Sequence, residues 1–185
     1  QTFSFAAFSS EPLSEGSELL LVSEPAGADQ LFGDAGNDYL ISGDESLNTD
    51  DSLLVGGSGD DIYEIDSLGD VVVEAAGDGI DSVISYLSAY TLADHFENLS
   101  FRGLATIGVG NSLDNVMSGA RSLEGLDGND TLNGAGRLDG GAGDDLLQGR
   151  PGLSFFNDDT EQLEYVANAY VFRSGDGRDT IQEND

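Results

Sequence analysis

Aspartates recur at a fixed place in a nine-residue repeat of this chain. Residues 56–64 and 140–148 follow the pattern Gly-Gly-x-Gly-x-Asp-x-apolar-x, while residues 125–133 and 33–41 depart from it at the second position. A glycine-rich loop lets backbone carbonyl oxygens converge on one point, and the aspartate adds a negatively charged oxygen. Calcium accepts about six to eight such oxygens in loose geometry, so the repeat predicts calcium-binding loops.

Weaker copies of the repeat keep its second half, Gly-x-Asp-x-apolar, at residues 27–31, 79–83 and 177–181. Asp51 also precedes an apolar run, but it lies one residue out of register before Gly56, which indicates a bulge. The predicted metal ligands are loop positions that offer a carboxylate or a backbone carbonyl. They are Gly27, Asp29, Gly33, Ala35, Gly36, Asp38, Asp51, Gly56, Ser58, Gly59, Asp61, Gly79, Asp81, Gly125, Asp127, Gly128, Asp130, Gly140, Ala142, Gly143, Asp145, Gly177 and Asp179.

These repeats resemble those of the RTX, or haemolysin-type calcium-binding, family, and the likeness extends over most of residues 24–182. The resemblance implies an all-β fold, a right-handed parallel β-roll or β-helix solenoid with several calcium ions bound in its edge turns. It also implies that each ion sits between two loops on the same edge of successive coils. The aspartates then predicted to share an ion are Asp38 with Asp61, Asp130 with Asp145, and Asp29 with the displaced Asp51.

The residues around each apolar position of the repeat predict a very short strand. Side chains alternate along a strand, so the apolar centre points inward and its two neighbours point outward. Stacked coils would then bury a narrow column of apolar side chains. The predicted members of this column are Leu31, Leu40, Tyr63, Val83, Met117, Leu132 and Leu147.

The distribution of repeats predicts five segments along the chain. They are a strand or cap at 1–23, a first repeat block at 24–84, spacer-like degenerate coils at 85–118, a second repeat block at 119–157, and a C-terminal coil or cap at 158–185. The first segment carries three phenylalanines and fits a cap over the open end of a solenoid, with strand donation to a neighbouring molecule as the alternative.

Some positions predict coils without an ion. Asn115 and Ser154 stand where the repeat has its aspartate, so we expect no metal at either. Residues 119–133 and 134–148 align as fifteen-residue units with one shortened edge, which predicts metal on one edge there and on two edges near residues 24–64. In residues 158–170 the apolar spacing fits either a helix or a bulged coil.

The charge of the chain limits what can bind it and what can hold it together. Of its 185 residues 36 are acidic and six basic, so the formal net charge is -30. This charge repels nucleic-acid phosphates and anionic lipid, and we expect neither nucleic-acid binding nor membrane insertion. Acidic loops one strand spacing apart, ~4.8 Å, would repel by roughly 3 kcal/mol at an effective dielectric constant of ~20. We therefore predict a chain that is largely disordered without calcium.

No catalytic motif stands out in the sequence: His95 is its sole histidine, and a Gly-x-Ser-x-Gly elbow is absent. The sequence therefore predicts that the chain is not an enzyme. The resemblance implies export in an unfolded state by type I secretion, folding on calcium outside the cell, and a secreted, extracellular or cell-surface location. Two functions remain open: a structural, adhesive or self-assembling module of a surface layer or fibre, or the C-terminal secretion and folding module of an exported lipase, protease or epimerase.

Overall fold

The computed structural model describes residues 17, 19–21, 29–42, 51–103, 105–150, 154–157, 162–165 and 167–183. Within these ranges no helix has the length and apolar character that crossing a membrane requires. The regular elements are the strands β1 (Leu19–Leu21), β2 (Gln30–Phe32), β3 (Tyr39–Ile41), β4 (Leu53–Val55), β5 (Ile62–Ile65), β6 (Val71–Val73), β7 (Ser82–Ser85), β8 (Ala89–Thr91), β9 (Asn98–Phe101), β10 (Ile107–Val109), β11 (Val116–Ser118), β12 (Ser122–Asp127), β13 (Thr131–Gly134), β14 (Arg137–Ala142), β15 (Leu146–Gly149), β16 (Ser154–Asn157), β17 (Gln162–Tyr165), β18 (Ala169–Val171) and β19 (Thr180–Glu183).

The first of two compact units comprises residues 1–87 and 93–102. Strands β1, β3, β5, β7 and β9 form one parallel sheet in that order. Strands β2, β4 and β6 form the other. From β1 to β7 successive strands alternate between the sheets, so each coil gives one strand to each. This is the parallel β-solenoid that the repeats predict.

The second unit comprises residues 88–92 and 103–185 and is built in the same way. Strands β11, β13, β15 and β19 form one parallel sheet. Strands β8, β10, β12, β14 and β18 form the other. The all-β parallel fold is thus confirmed in both units.

An antiparallel hairpin interrupts the second unit. Strands β16 and β17 pair with each other rather than with the coils on either side. The helix considered for residues 158–170 is therefore wrong where the structure describes them, because residues 162–165 are extended and Tyr170 belongs to β18. Residues 158–161 lie outside the described ranges.

The predicted apolar column is confirmed. Leu31, 6% exposed, lies in register with Leu54 of β4, whereas Leu40, Tyr63 and Val83 belong to the other sheet of the first unit. Met117, Leu132 and Leu147 belong to one sheet of the second unit. Short strands suffice here because each adds one inward side chain to a continuous stack, and burial of apolar surface supplies the main stabilising free energy. The fully buried members of the column are Leu40, Tyr63, Val83, Met117, Leu132 and Leu147.

The N-terminal segment is described at Ser17 and in β1, which lies parallel to β3. The phenylalanines of residues 1–10 lie outside the described residues, so the choice between cap and strand donation stays a prediction. The five-segment division also stays a prediction.

Candidate metal sites

An aspartate immediately precedes most strands of one sheet in each unit, and these aspartates stack in a ladder. In the first unit the backbone N–H of Asp38 donates to Oδ1 of Asp61 at 2.7 Å, and that of Asp61 to Oδ1 of Asp81 at 2.8 Å. In the second unit Asp130 donates to Asp145 at 2.8 Å in the same way. The structure therefore brings together both predicted pairs, Asp38 with Asp61 and Asp130 with Asp145.

The ladder also resolves two aspartates whose neighbours the sequence left open. Asp81 follows Asp61, as described above. Asp179 follows Asp145, whose N–H donates to its Oδ1 at 3.2 Å although the two residues are 34 positions apart. The hairpin of β16 and β17 lies between them in the chain, so sequence spacing could not have paired them.

The second carboxylate oxygen of the ladder has a different environment from the first. Oδ2 of Asp61, Asp130 and Asp145 is buried and accepts no hydrogen bond from any residue that the structure describes. These three side chains are at most 2% exposed. A buried carboxylate oxygen without a donor is costly, so this geometry calls for a cation.

The first glycine of each repeat leaves room beside this oxygen. A Cβ built on Gly56 would lie 2.1 Å from Oδ2 of Asp61, and one on Gly140 would lie 2.0 Å from Oδ2 of Asp145. Backbone carbonyls approach the same edge, because a Cβ on Gly125 would lie 2.4 Å from the carbonyl oxygen of Gly140. Carboxylate and carbonyl oxygens of successive coils thus converge, and this donor set suits calcium.

The equivalent positions of the remaining loops behave in the same way. A Cβ on Gly33 would lie 2.4 Å from Oδ2 of Asp38 and 2.6 Å from the carbonyl oxygen of Gly56. The later glycines stack on those of the preceding coil, with a Cβ on Gly79 lying 2.0 Å from the carbonyl oxygen of Gly59. Further predicted loop positions that pair between coils are Ala35 with Ser58, Asp127 with Ala142, Gly128 with Gly143, and Gly143 with Gly177.

The second position of the repeat requires a backbone that favours glycine. Gly57 and Gly141 have φ values of 106° and 104° there. Asp34 and Leu126 replace this glycine in the two departing repeats, yet they keep positive φ values of 66° and 86°. The turn is therefore preserved at the cost of backbone strain, which is of the order of 1–3 kcal/mol for a side chain in this region.

Burial and neighbouring charges disfavour ionisation of the ladder. Burial, together with the carboxylates of Asp145 and Asp114, raises the pKa of Asp130 to about 7. Burial and the charge of Asp61 raise the pKa of Asp81 to about 6. The pKa values of Asp61 and Asp145 are raised for the same reasons. Among the described residues the ion pairs involve Asp139 and Asp144, not these ladder aspartates.

Sequence reasoning missed a second, exposed ladder formed by the residues before the buried aspartates. Here the side chain of one coil accepts the N–H of the next: Asp60 donates to Oδ1 of Asn37 at 3.0 Å, and Asp144 to Oδ1 of Asn129 at 2.9 Å. Asn129 donates in turn to Asp114 at 2.7 Å. Asparagine or aspartate at this position of every strong repeat was the available signal, and it was overlooked.

The opposite edge of the first unit shows the one-residue displacement of Asp51 that the sequence indicated. Ser52, not Asp51, lies in register with Asp29, because Leu53 donates to the carbonyl oxygen of Asp29 at 2.8 Å. Asp70 is the next residue on this edge, and its Oδ1 accepts the N–H of Ser52 at 3.0 Å while its Oδ2 accepts that of Ser67 at 3.1 Å. Asp51 is thus displaced by one residue from Asp29, the sharing of an ion by the two stays a prediction, and hydrogen bonds satisfy the carboxylate of Asp70. Gly27 lies outside the described residues.

Three predictions concern loops of the second unit without metal, and Ser154, one of these positions, lies in the antiparallel strand β16 rather than in a coil. Asn115 continues the ladder, but its Oδ1 accepts the N–H of Asn111 at 2.8 Å and its Nδ2 donates back to Asn111 at 3.1 Å. On the opposite edge of the second unit, the positions before β8, β10, β12, β14 and β18 hold Ser88, Thr106, Arg121, Gly136 and Asn168. That edge offers no carboxylate at these positions.

One buried carboxylate of the second unit is neutralised by arginine. Asp139 is fully buried, and it accepts hydrogen bonds from Arg137 at 2.6 Å and from both terminal nitrogens of Arg173, at 2.6 Å for Nη1. Burial raises the pKa of Asp139, but the two guanidinium groups outweigh that effect, and the pKa lies below its usual value. No motif or spacing predicts the pairing of Arg173 with a residue 34 positions earlier.

Fold and site together define a parallel β-solenoid with stacked acidic turns, the class to which calcium-binding repeat proteins belong. The RTX calcium-binding nonapeptide repeat family matches this chain in four copies, at residues 26–46, 122–136 and 133–152. The predicted RTX repeats are thus confirmed over these residues. They also support calcium as the ion of the ladder. No solved structure matches the chain.

Curated relatives add a second finding. The chain is 39% identical over 104 residues to the endo-1,3-1,4-beta-glycanase ExsH, and 39% identical over 110 residues to the endo-1,3-1,4-beta-glycanase EglC, both of Rhizobium meliloti (strain 1021). The matches cover 56% and 59% of this chain but 21% and 23% of those proteins. The chain thus spans about a fifth of the length of the curated relatives it matches.

These relatives correct one prediction. Both are named as enzymes, which contradicts the expectation that the chain is not one. The expectation rested on the lack of a recognised catalytic motif in these residues, which match about a fifth of each named enzyme. What the repeat residues support by themselves is ion binding and folding.

Proposed function

We propose that this chain is a calcium-dependent folding module that becomes ordered outside the cell. The observation that carries the proposal is the set of buried Oδ2 atoms of Asp61, Asp130 and Asp145, which have no donor among the described residues. A divalent ion between successive coils would replace repulsion by attraction at each of these positions. The predicted pairing of Asp38 with Asp61 and of Asp130 with Asp145 fits this role.

The energetics favour an ion that is part of the scaffold. Two ionised carboxylates one strand spacing apart repel by roughly 3 kcal/mol at an effective dielectric constant of ~20. A few such contacts equal the whole stability of a typical domain, ~5–15 kcal/mol. Ion binding at tenfold excess over its dissociation constant adds about 1.4 kcal/mol per site. Several coupled sites are therefore enough to decide whether the chain folds.

Calcium titration followed by far-UV circular dichroism tests this proposal. We expect a disordered spectrum in EDTA and a strand-rich spectrum in calcium, with magnesium as the control ion, since magnesium demands stricter geometry. A strand-rich spectrum that is the same in EDTA and in calcium would contradict the proposal.

We infer that the chain serves an exported enzyme that acts on β-linked glycans. The support is the names of the two relatives together with the calcium-dependent folding proposed above, which suits a protein that must leave the cell unfolded. The test is an assay of the whole protein on a mixed-linkage β-1,3-1,4-glucan, in culture medium and in cell extract. Hydrolysis confined to the medium supports the inference, and no hydrolysis by the folded, calcium-loaded protein overturns it.

Self-association, as in a surface layer or fibre, stays a prediction for a protein with a structural or adhesive role. The outward face of β2, β4 and β6 carries partly exposed apolar side chains that could take part, among them Phe32, Val71 and Val73. Light scattering in calcium distinguishes large assemblies from a stable monomer.

A further inference from the structure

One loop of the ladder breaks the repeat in a specific way. The register of β4 and β6 places Glu74 opposite Gly56, the first glycine of a strong repeat. In that repeat five positions separate the glycine from Asp61, whereas seven separate Glu74 from Asp81. Glu74 is 8% exposed, so the longer loop turns a glutamate inward where other loops have no side chain.

The glutamate completes a cluster of three carboxylates. One carboxylate oxygen each of Asp61, Glu74 and Asp81 lies within 4.8 Å of the others. Oε1 of Glu74 accepts a hydrogen bond from the hydroxyl of Tyr63. Oε2 of Glu74 and Oδ2 of Asp61 are buried and accept no hydrogen bond from any described residue.

No basic side chain neutralises this cluster in the described part of the chain, where the ion pairs involve Asp139 and Asp144. Two buried oxygens on different side chains of this cluster therefore accept no hydrogen bond from a described residue, and both call for a cation. All the candidate metal ligands are oxygen atoms, and they belong to three carboxylates. Such a set favours a hard cation, and each added carboxylate raises the affinity for it.

Tyr63 fixes the position of Glu74. Its ring is fully buried and packs edge-on against Phe96, with ring centroids 5.2 Å apart. Its hydroxyl receives the N–H of Gly56 and donates to Glu74, which links the glutamate to the neighbouring coil. A rigid tyrosine beside the cluster also provides a spectroscopic reporter, because the chain has no tryptophan.

We propose that Asp61, Glu74 and Asp81 form a three-carboxylate calcium site that binds more tightly than the two-aspartate loops and fills first. Glu74 supplies a side-chain ligand in place of the glycine of the repeat. The inference rests on the proposed calcium-dependent folding and adds to it one ligand and an order of filling.

Terbium, which occupies calcium sites and is excited by nearby tyrosine, is the probe. In the wild-type chain we expect the first equivalent of Tb³⁺ to give tyrosine-sensitised emission, and excess Ca²⁺ to displace it. Tyr63→Phe should abolish this emission while calorimetry still shows the tight calcium site.

Glu74→Gln should weaken the tightest Ca²⁺ site at least about tenfold, because one charged ligand is lost. Asp94→Asn, an exposed loss of the same charge in the same unit, should match the wild type.

A second variant covers the case in which Glu74→Gln does not fold. Glu74→Gly restores the residue of the repeat, so it should fold in calcium but lack the tightest site. Wild-type affinity and wild-type emission in either folded variant would overturn the proposal for Glu74. A wild-type chain that binds no Ca²⁺ at all would instead overturn the proposed function, so the two failures are distinguishable.

Discussion

Asp139 and Asp145 lie six positions apart in the second unit, and both are buried. The surroundings of their carboxylates nevertheless differ, and the pKa shifts in opposite directions. Asp139 accepts hydrogen bonds from two arginines, and its pKa lies below the usual value. Asp145 has a buried oxygen with no donor among the described residues, and its pKa is raised by burial and by neighbouring carboxylates. The protein neutralises the first carboxylate, whereas Oδ2 of the second has no partner among the described residues.

The comparison teaches where calcium dependence resides. The contribution of Asp139 to the free energy of unfolding should be the same with and without calcium. At the aspartate ladder, by contrast, the stabilising free energy should come from binding of the ion. Substitutions at the two places should therefore differ in how their effects respond to calcium, and that difference can be measured.

The largest effect is expected at the ladder. Asp145→Asn should destabilise the calcium-loaded chain by about 3 kcal/mol, since a ligand of two neighbouring ion positions is lost at about 1.4 kcal/mol each in tenfold excess. In EDTA the same change should favour folding, because repulsion by Asp130 and Asp179 disappears. Urea unfolding in calcium measures the expected loss of stability, and osmolyte-induced refolding in EDTA measures the expected gain.

Asp144→Asn is the matched control for this prediction. It makes the same change one residue earlier, where the side chain is exposed and where the preceding repeat already has Asn129. Equal effects of the two substitutions would contradict a special role for the buried oxygen of Asp145.

A somewhat smaller effect is expected at Asp139. Asp139→Ala removes a buried carboxylate with its charged hydrogen bonds and should cost about 2 kcal/mol. At each urea concentration the substitution should shift the midpoint of the calcium titration by the same amount. It should also destabilise the fold in EDTA, where the ladder variant is expected to favour folding. A reversal here would mean that Asp139 also faces an ion.

Acid should act on the ladder as a weak substitute for calcium. The pKa of Asp130 is raised to about 7, above that of an unfolded aspartate, so the folded state binds more protons and its stability falls as the pH rises towards 7. In EDTA we therefore expect more strand signal at pH 5 than at pH 8. Asp139 does not interfere, because its pKa is lowered and its contribution is lost only below the usual range of aspartate. Identical circular dichroism at both pH values would count against the buried ladder.

The smallest effect concerns the turn rather than the charges. Leu126 is 40% exposed and has a φ of 86°, so Leu126→Gly removes backbone strain while losing little packing. We expect a gain of about 1 kcal/mol in calcium, measured by urea unfolding. Leu113→Gly offers a contrast within the same unit, since its φ is not positive and glycine should bring no gain.

Much of the fold could be predicted from local pattern. The apolar position of each repeat identified the buried column, including Leu40, Tyr63 and Leu132. The spacing of adjacent repeats also paired Asp130 with Asp145, because coils of equal length place equivalent residues side by side. These predictions succeed because a solenoid makes contacts between neighbouring coils, so that sequence distance and spatial distance stay related.

The same relation explains the errors. Between residues 149 and 169 the chain leaves the coil to form the antiparallel hairpin, and the helical spacing there misled the prediction. The loop at Glu74 is two residues longer than its neighbours and carries a ligand that the motif does not contain.

The sequence by itself determined the repeat, the identity of the ladder aspartates and the excess of negative charge that they share. Tertiary structure alone decided which carboxylates arginine neutralises, which lie beside Glu74, and how Asp179 returns to Asp145 across an insertion. The reason is that charge compensation depends on distances of a few ångströms between residues that folding brings together. Local sequence spacing cannot predict these neighbours where an inserted segment lies between them.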